Sequence, residues 1–149
     1  MMPTRVNWVV VMDVNLNSLM ACALKFHPML AASMGALITV SSTAAFHSTR
    51  GNPAYNASKT GAVGLTRTLA EAWAKDGIRV NGIAPGLVDT KLTKVTTEHP
   101  DRLAASLQGI PMRRLGTPSD MAGVALFLAS PLSAYVLGQT IPVDGGLIL

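Results

Sequence analysis

Three short strand-like segments, each closed by a turn and separated by long stretches of helical periodicity, constrain this chain more than anything else in it. Ala36-Leu37-Ile38-Thr39-Val40 ends in Ser41-Ser42, Ile78 to Ala84 ends in Pro85-Gly86, and Gly138 to Val143 ends in Asp144-Gly145-Gly146. The first is a continuous apolar run, which suits a strand covered on both faces, as in a parallel sheet. Between the strands, residues 54–75 place Ala57, Val63, Leu65, Leu69, Ala70 and Trp73 at helical spacing and stop at Gly77. Residues 118–129 form a further helix, with Thr117 as N-cap and Pro118 at the first helical position. An earlier helix spans residues 5–31, ending near Pro28 or shortly after, on the apolar positions Leu16, Leu19, Met20, Ala23, Leu24 and Met29. Val9-Val10-Val11 within it is locally β-prone, with the remains of a strand as the alternative. Gly61 and Gly64 suggest close packing of their helix against another backbone. Alternating helix and strand predicts an α/β fold with a parallel sheet and right-handed crossovers, in one domain over residues 1–149. The polar segment 87–112, helix-like only in pieces, is expected to be a mobile flap.

In such a sheet, ligands sit beyond the carboxyl ends of the strands. Ser42 and Pro85-Gly86 occupy those ends, and Tyr55 and Lys59 open the helix after the first strand. Residues four apart share a helix face. A free phenol, with a pKa of about 10, is a poor base at neutral pH, and a fixed ammonium beside it favours the phenolate. The pair therefore reads as a general acid or base. The spacing alone is weak evidence; its place at the strand ends gives it weight.

Other functional classes find little support. The twelve Lys and Arg against eight Asp and Glu give +4, but the basic residues are dispersed, so no nucleic-acid face is expected. His27, His47 and His99 lack metal-ligand spacing, and no metal site is expected. Cys22 is the only cysteine, which excludes an internal disulfide and suits a reducing cytoplasm. Its plain reading is a small apolar helix residue. Lys25, His27 and Pro28 interrupt the most apolar stretch, so no membrane span is expected. An apolar content of 49% is enough to bury a core.

Asn15 in Val14-Asn15-Leu16, Ser42 thirteen residues before Tyr55, and Tyr55 with Lys59 stand in an order that resembles the short-chain dehydrogenase/reductase family, of 3-oxoacyl-carrier-protein reductase type. Ser41 is the alternative to Ser42 by one position. Arg79-Val80-Asn81-Gly82-Ile83-Ala84-Pro85-Gly86 with Val88 and Thr90, and the ending Gly138 to Gly146, extend the likeness from about Trp8 to Gly146. The resemblance implies a Rossmann-like doubly wound parallel sheet, N-terminally truncated. The family's first strand and glycine-rich turn, which receive the cofactor pyrophosphate, have no counterpart here. It also implies NAD or NADP as cofactor, an alcohol or ketone as substrate, and a homodimer or homotetramer. The implied catalytic residues are Asn15, Ser42, Tyr55 and Lys59; Tyr55, Lys59, Pro85, Gly86, Val88 and Thr90 would contact the cofactor. A non-catalytic remnant that associates with itself or with an intact relative is the alternative.

Overall fold

β1 (Ala36–Val40), β2 (Arg79–Pro85) and β3 (Thr140–Val143) form one parallel sheet in the order β1-β2-β3. The computed structural model describes residues 5–49 and 51–149. The chain enters through α1 (Arg5–Met12), a widened turn over Asp13–Asn17 and α2 (Ser18–Ser33), which run on as one helical rod. Val9-Val10-Val11 therefore belongs to a helix and not to a strand; flanking helical turns override the local preference of the valines. The rod ends where Met34 takes a left-handed conformation (φ 48°) and its N–H, with that of Gly35, caps the carbonyls of Ala31 and Leu30.

α3 (Pro53–Trp73) crosses from β1 to β2, with proline in its first turn. Between β2 and β3 come α4 (Lys94–Thr97), α5 (Pro100–Gly109) and α6 (Pro118–Ala129), so the segment 87–112 is largely built of short helices. Thr117 caps α6 as its sequence predicts: its Oγ1 accepts the Asp120 N–H at 3.3 Å, and Asp120 Oδ2 accepts the Thr117 N–H at 2.7 Å.

Register assigns the faces. Leu37 pairs with Val80 and Thr39 with Gly82, and these positions look toward α2 and α3. There Ala23, Leu69, Ala70, Trp73, Ile78 and Val80 form a buried cluster, joined by Leu30, Leu37 and Leu65. Arg79 and Asn81 lie on the opposite face, beside α6. Gly61 packs against a side chain and not a backbone: a Cβ there would meet Leu16 Cδ2 at 2.8 Å. Gly64 faces open space, contrary to its sequence reading.

Lys25, His27 and Pro28 do not interrupt the N-terminal rod. Pro28 sits inside α2, and His27 bonds Asp76 at 3.0 Å while its ring packs on Trp73. Asn7–Ser33 is, among the described residues, the helix long and apolar enough by length and composition to cross a membrane. Trp8, Val9, Val14, Leu24, Phe26 and Met29 are exposed on it, and Cys22 is exposed as well.

Candidate active site

At the carboxyl end of the sheet, the chain closes around a cleft of about 420 Å³. Ser41 and Ser42 come from the end of β1, Pro85 and Gly86 from the end of β2, and Tyr55 and Lys59 from the first turns of α3. Val88, Thr90, Leu92 and Thr93 form the far wall, with Pro118 and Met121 of α6 beside them. Ser42, Tyr55, Lys59, Pro85, Gly86, Val88 and Thr90, all singled out in the sequence, thus meet in one place.

The two serines divide their work. Ser41 is buried, and its hydroxyl donates to the Lys59 carbonyl at 2.8 Å, pinning β1 to α3. Ser42 is only half-buried, and its Oγ accepts the Ala44 N–H at 3.2 Å. That bond leaves the Ser42 hydroxyl hydrogen for an oxygen placed in the cleft. Ser42, and not Ser41, therefore keeps a hydroxyl hydrogen free to meet a ligand in the cleft.

Lys59 Nζ donates to the Val40 carbonyl at 3.0 Å and stands 5.7 Å from the centroid of the Tyr55 ring. Its pKa is lowered because burial strips water from the ammonium. The phenol and the ammonium thus share one wall of the cleft, as their spacing of four predicts.

Asn15 stands apart. It lies in the widened turn between α1 and α2, and its Nδ2 donates to Ser58 Oγ at 3.1 Å, while Ser58 donates to the Tyr55 carbonyl at 2.8 Å. The link joins the N-terminal rod to the first turn of α3, behind the cleft. Turns of this wide type recur at functional sites, but no residue type announces one in a sequence.

The strand ends are held by close approach. A Cβ on Gly86 would meet Asp144 Cβ at 2.6 Å and Asp144 Cα at 2.8 Å, so only glycine fits where β2 leaves the sheet. Thr93 was not foreseen: its hydroxyl donates to Val88 O at 2.6 Å and accepts the Thr90 N–H at 3.0 Å, fixing the far wall. Leu92 and Met121, also unforeseen, add apolar lining. Their positions depend on how the 87–117 segment folds back, where Val88 bridges to Gly116.

A dinucleotide has two ends, and the residues present suit one. Ser42, Tyr55 and Lys59 offer hydrogen bonds and a cation, and Val88 and Leu92 offer an apolar wall, as a nicotinamide and its ribose require. Among the described residues, no strand runs through a glycine-rich turn into a helix whose N-terminus would receive a pyrophosphate. After β3, Asp144 accepts the Gly146 N–H at 2.9 Å and the Ile148 N–H at 3.1 Å, which engages these two donors within the turn.

A larger groove of about 640 Å³ lies at the opposite end of the sheet, lined by Gly77, Arg79, Tyr135 and Leu137 among others. It gathers no acid–base pair, and Arg79 is occupied with backbone carbonyls there. Among the described residues, no three His, Cys, Asp or Glu side chains gather to hold a metal ion.

Comparison with known proteins places this geometry. The family model described as Enoyl-(Acyl carrier protein) reductase matches residues 2–148. The chain is 43% identical over 143 residues to a 3-oxoacyl-[acyl-carrier-protein] reductase, FabG, of Chlamydia pneumoniae, covering 95% of this chain and 56% of that protein. It is 43% identical over 141 residues to a 2-dehydro-3-deoxy-D-gluconate 5-dehydrogenase of Bacillus subtilis, covering 94% of this chain and 56% of that one. A crystal structure of a gluconate 5-dehydrogenase from Burkholderia cenocepacia, in complex with NADP and tartrate, superposes with a TM-score of 0.93 at 30% identity, covering 97% of this chain and 57% of that one. The chain spans a little over half the length of these relatives.

Proposed function

Since this chain belongs to the short-chain dehydrogenase/reductase family, we propose that its cleft is the nicotinamide end of an oxidoreductase site, using NAD or NADP and acting on a secondary alcohol or ketone. The observation that carries the reading is the convergence of Ser42, Tyr55 and Lys59 with Pro85, Gly86, Val88 and Thr90 on one cleft at the strand ends. The named relatives are a reductase and two dehydrogenases, one solved with NADP, and these support it over a non-catalytic remnant.

Each residue then has a task. Tyr55 gives a proton to a carbonyl oxygen or takes it from a hydroxyl. Ser42 donates its free hydrogen to the same oxygen and orients it. Lys59 keeps a positive charge beside the phenol and binds the ribose. Asn15 holds a water that continues the proton path from Lys59, out of a turn whose backbone is already widened. Pro85, Gly86, Val88 and Thr90 shape the nicotinamide face. When bound, the nicotinamide supplies or accepts the hydride.

A cytoplasmic enzyme that pairs with its own copies through the N-terminal rod and α3 completes the reading, the motive being the apolar residues exposed on the rod. Sedimentation should give a dimer or tetramer at micromolar concentration; a stable monomer would remove this part.

The functional test is a chimera in which the unmatched segment of the Bacillus subtilis relative precedes this chain. It should interconvert a secondary alcohol and its ketone with a change in nicotinamide absorbance. Cofactor binding without turnover on a broad panel of alcohols and ketones would reject the proposal.

A further inference from the structure

Ser42 lies thirteen positions before Tyr55, and the loop between them has few fixed points beyond His47, where Ser48, Thr49, Gly51 and Asn52 are exposed. The first part of the loop is different. Residues 43–45 form a single tight turn, with Ala45 N–H bonded to Ser42 O at 3.0 Å and Phe46 N–H to Thr43 O at 2.9 Å. The outward carbonyls of that turn and its exit are held from α3. Asn56 Nδ2 donates to Ala44 O at 2.8 Å and to His47 O at 2.9 Å, and Thr60 Oγ1 donates to Ala45 O at 3.3 Å.

Both hydrogens of the Asn56 amide are used, each on a backbone carbonyl. The reversed amide would set Oδ1 against the same two carbonyls, so the orientation is fixed by its partners. Asn56 Oδ1 is buried with no hydrogen-bond partner. A buried acceptor left unmatched is costly, so what keeps an asparagine productive here is the pair of donors. Adjacent helix residues project about 100° apart, which lets Tyr55 line the cleft while Asn56 grips the loop.

We infer that Asn56 is a positioning residue: by clamping the turn after β1 to the helix that carries Tyr55, it fixes Ser42 relative to Tyr55. The inference rests on the proposed role of Ser42. The route is short. Asn56 holds Ala44 through its carbonyl; the N–H of Ala44 holds Ser42 Oγ and aims the remaining hydroxyl hydrogen. Serine and tyrosine are thereby spaced through one rigid helix turn and not through the length of the loop.

The test has two arms. In the 149-residue protein, nuclear magnetic resonance follows backbone amides in wild type and Asn56→Ala. Exchange at Ala45 and Phe46 should quicken about tenfold, the Ala44 N–H resonance should move toward its unbonded position, and the amides of β2 should be unchanged. Unchanged exchange in the loop, or faster exchange with an unmoved Ala44 resonance, would overturn the inference. Asn56→Ser serves if the alanine variant fails to fold, and Thr60→Val should affect Ala45 alone. In the chimera described above, Asn56→Ala should lower kcat about tenfold, and the same change should cost nothing further in a Ser42→Ala background. Additive losses would overturn the inference. Loss of the Ala44 signature with kcat intact would instead leave the clamp standing and reject the catalytic role of Ser42, on which the functional proposal depends.

Discussion

The two edges of the sheet are finished differently. β3 is four residues long, carries Pro142, and turns away at once into Asp144-Gly145-Gly146. In its register, Ile141 faces β2 and Pro142 faces outward, so the edge lacks a donor where a further strand would need one. Its neighbourhood is stapled by side chains. Arg79 bonds the carbonyls of Leu128, Ser130 and Ser133, and Asn81 bonds Val136 O and Gln139 N. β1 has none of this. It carries no proline or charge, Val40 is 55% exposed, and Lys59 from α3 takes its last outward carbonyl. Natural sheets guard their edges; the β3 edge is guarded, and the β1 edge is shaped for continued pairing. The cleft is lined by the ends of β1 and β2, and so lies on the side of the unguarded edge.

The largest expected effect separates the 149-residue chain from the chimera. NADP or NAD should bind the chimera at micromolar concentration and the chain alone at least about 100-fold more weakly, because ordering a cofactor without its pyrophosphate contacts leaves little surplus free energy. Calorimetric titration measures both. Micromolar binding to the chain alone would break the comparison at its root.

Next comes the staple of the guarded edge. Arg79→Met keeps the length of the side chain but strands several carbonyls, and should destabilise the fold by roughly 2–3 kcal/mol in denaturant unfolding. Val40→Thr on the open edge should change stability by less than about 0.5 kcal/mol. Equal effects at both positions would show that the edges do not differ as described.

The smallest effects are titrations. Asp120 is held well below the usual carboxylate range by its bonds to Arg114 and then to Thr117. Its ionised form is thus favoured by folding. It adds stability above the ordinary carboxylate value of about 3.9, and that stability is lost as pH falls through the lowered folded value. Asp120→Asn should lower the thermal midpoint slightly at neutral pH and progressively less as pH falls below about 3.9. The Lys59 pKa is lowered for the opposite reason, since burial disfavours its charge. Stability should therefore rise with pH as the folded value and then the ordinary value of about 10.4 are passed, and Lys59→Met should abolish the rise. Thermal melts across pH 2–11 read both.

Much of this was legible in the residues because local chemistry and global topology agree there. The apolar run at Ala36–Val40, the Thr117-Pro118 start of α6 and the Gly77 stop after α3 all carry their own reasons. Val9-Val10-Val11 leaves a strand open as the alternative, and the helix prevails because β-branched preference is weak beside the surrounding helical turns. Gly64 misleads because glycine spacing does not say which helix face meets a neighbour; Gly61 meets Leu16 and Gly64 meets nothing. Pro28 and its charged neighbours read as an interruption, yet a helix tolerates one proline when the flanking turns are already fixed. Within the cleft, Tyr55 and Lys59 were legible from their spacing, and Ser42 from its place at a strand end and from the family resemblance. Thr93 and Asn56 act by gripping backbone carbonyls brought to them by the fold, and no linear pattern marks such a task.

If the cleft exchanges a proton beside a nicotinamide, Tyr55→Phe in the chimera removes the group that does so. The ring and its packing stay, and only the phenol is lost. Turnover should fall by about 10²–10⁴-fold, while the cofactor dissociation constant by calorimetry changes less than about threefold. A variant that keeps more than about a tenth of the wild-type rate would contradict the account, because no general acid of that weight would then reside at Tyr55.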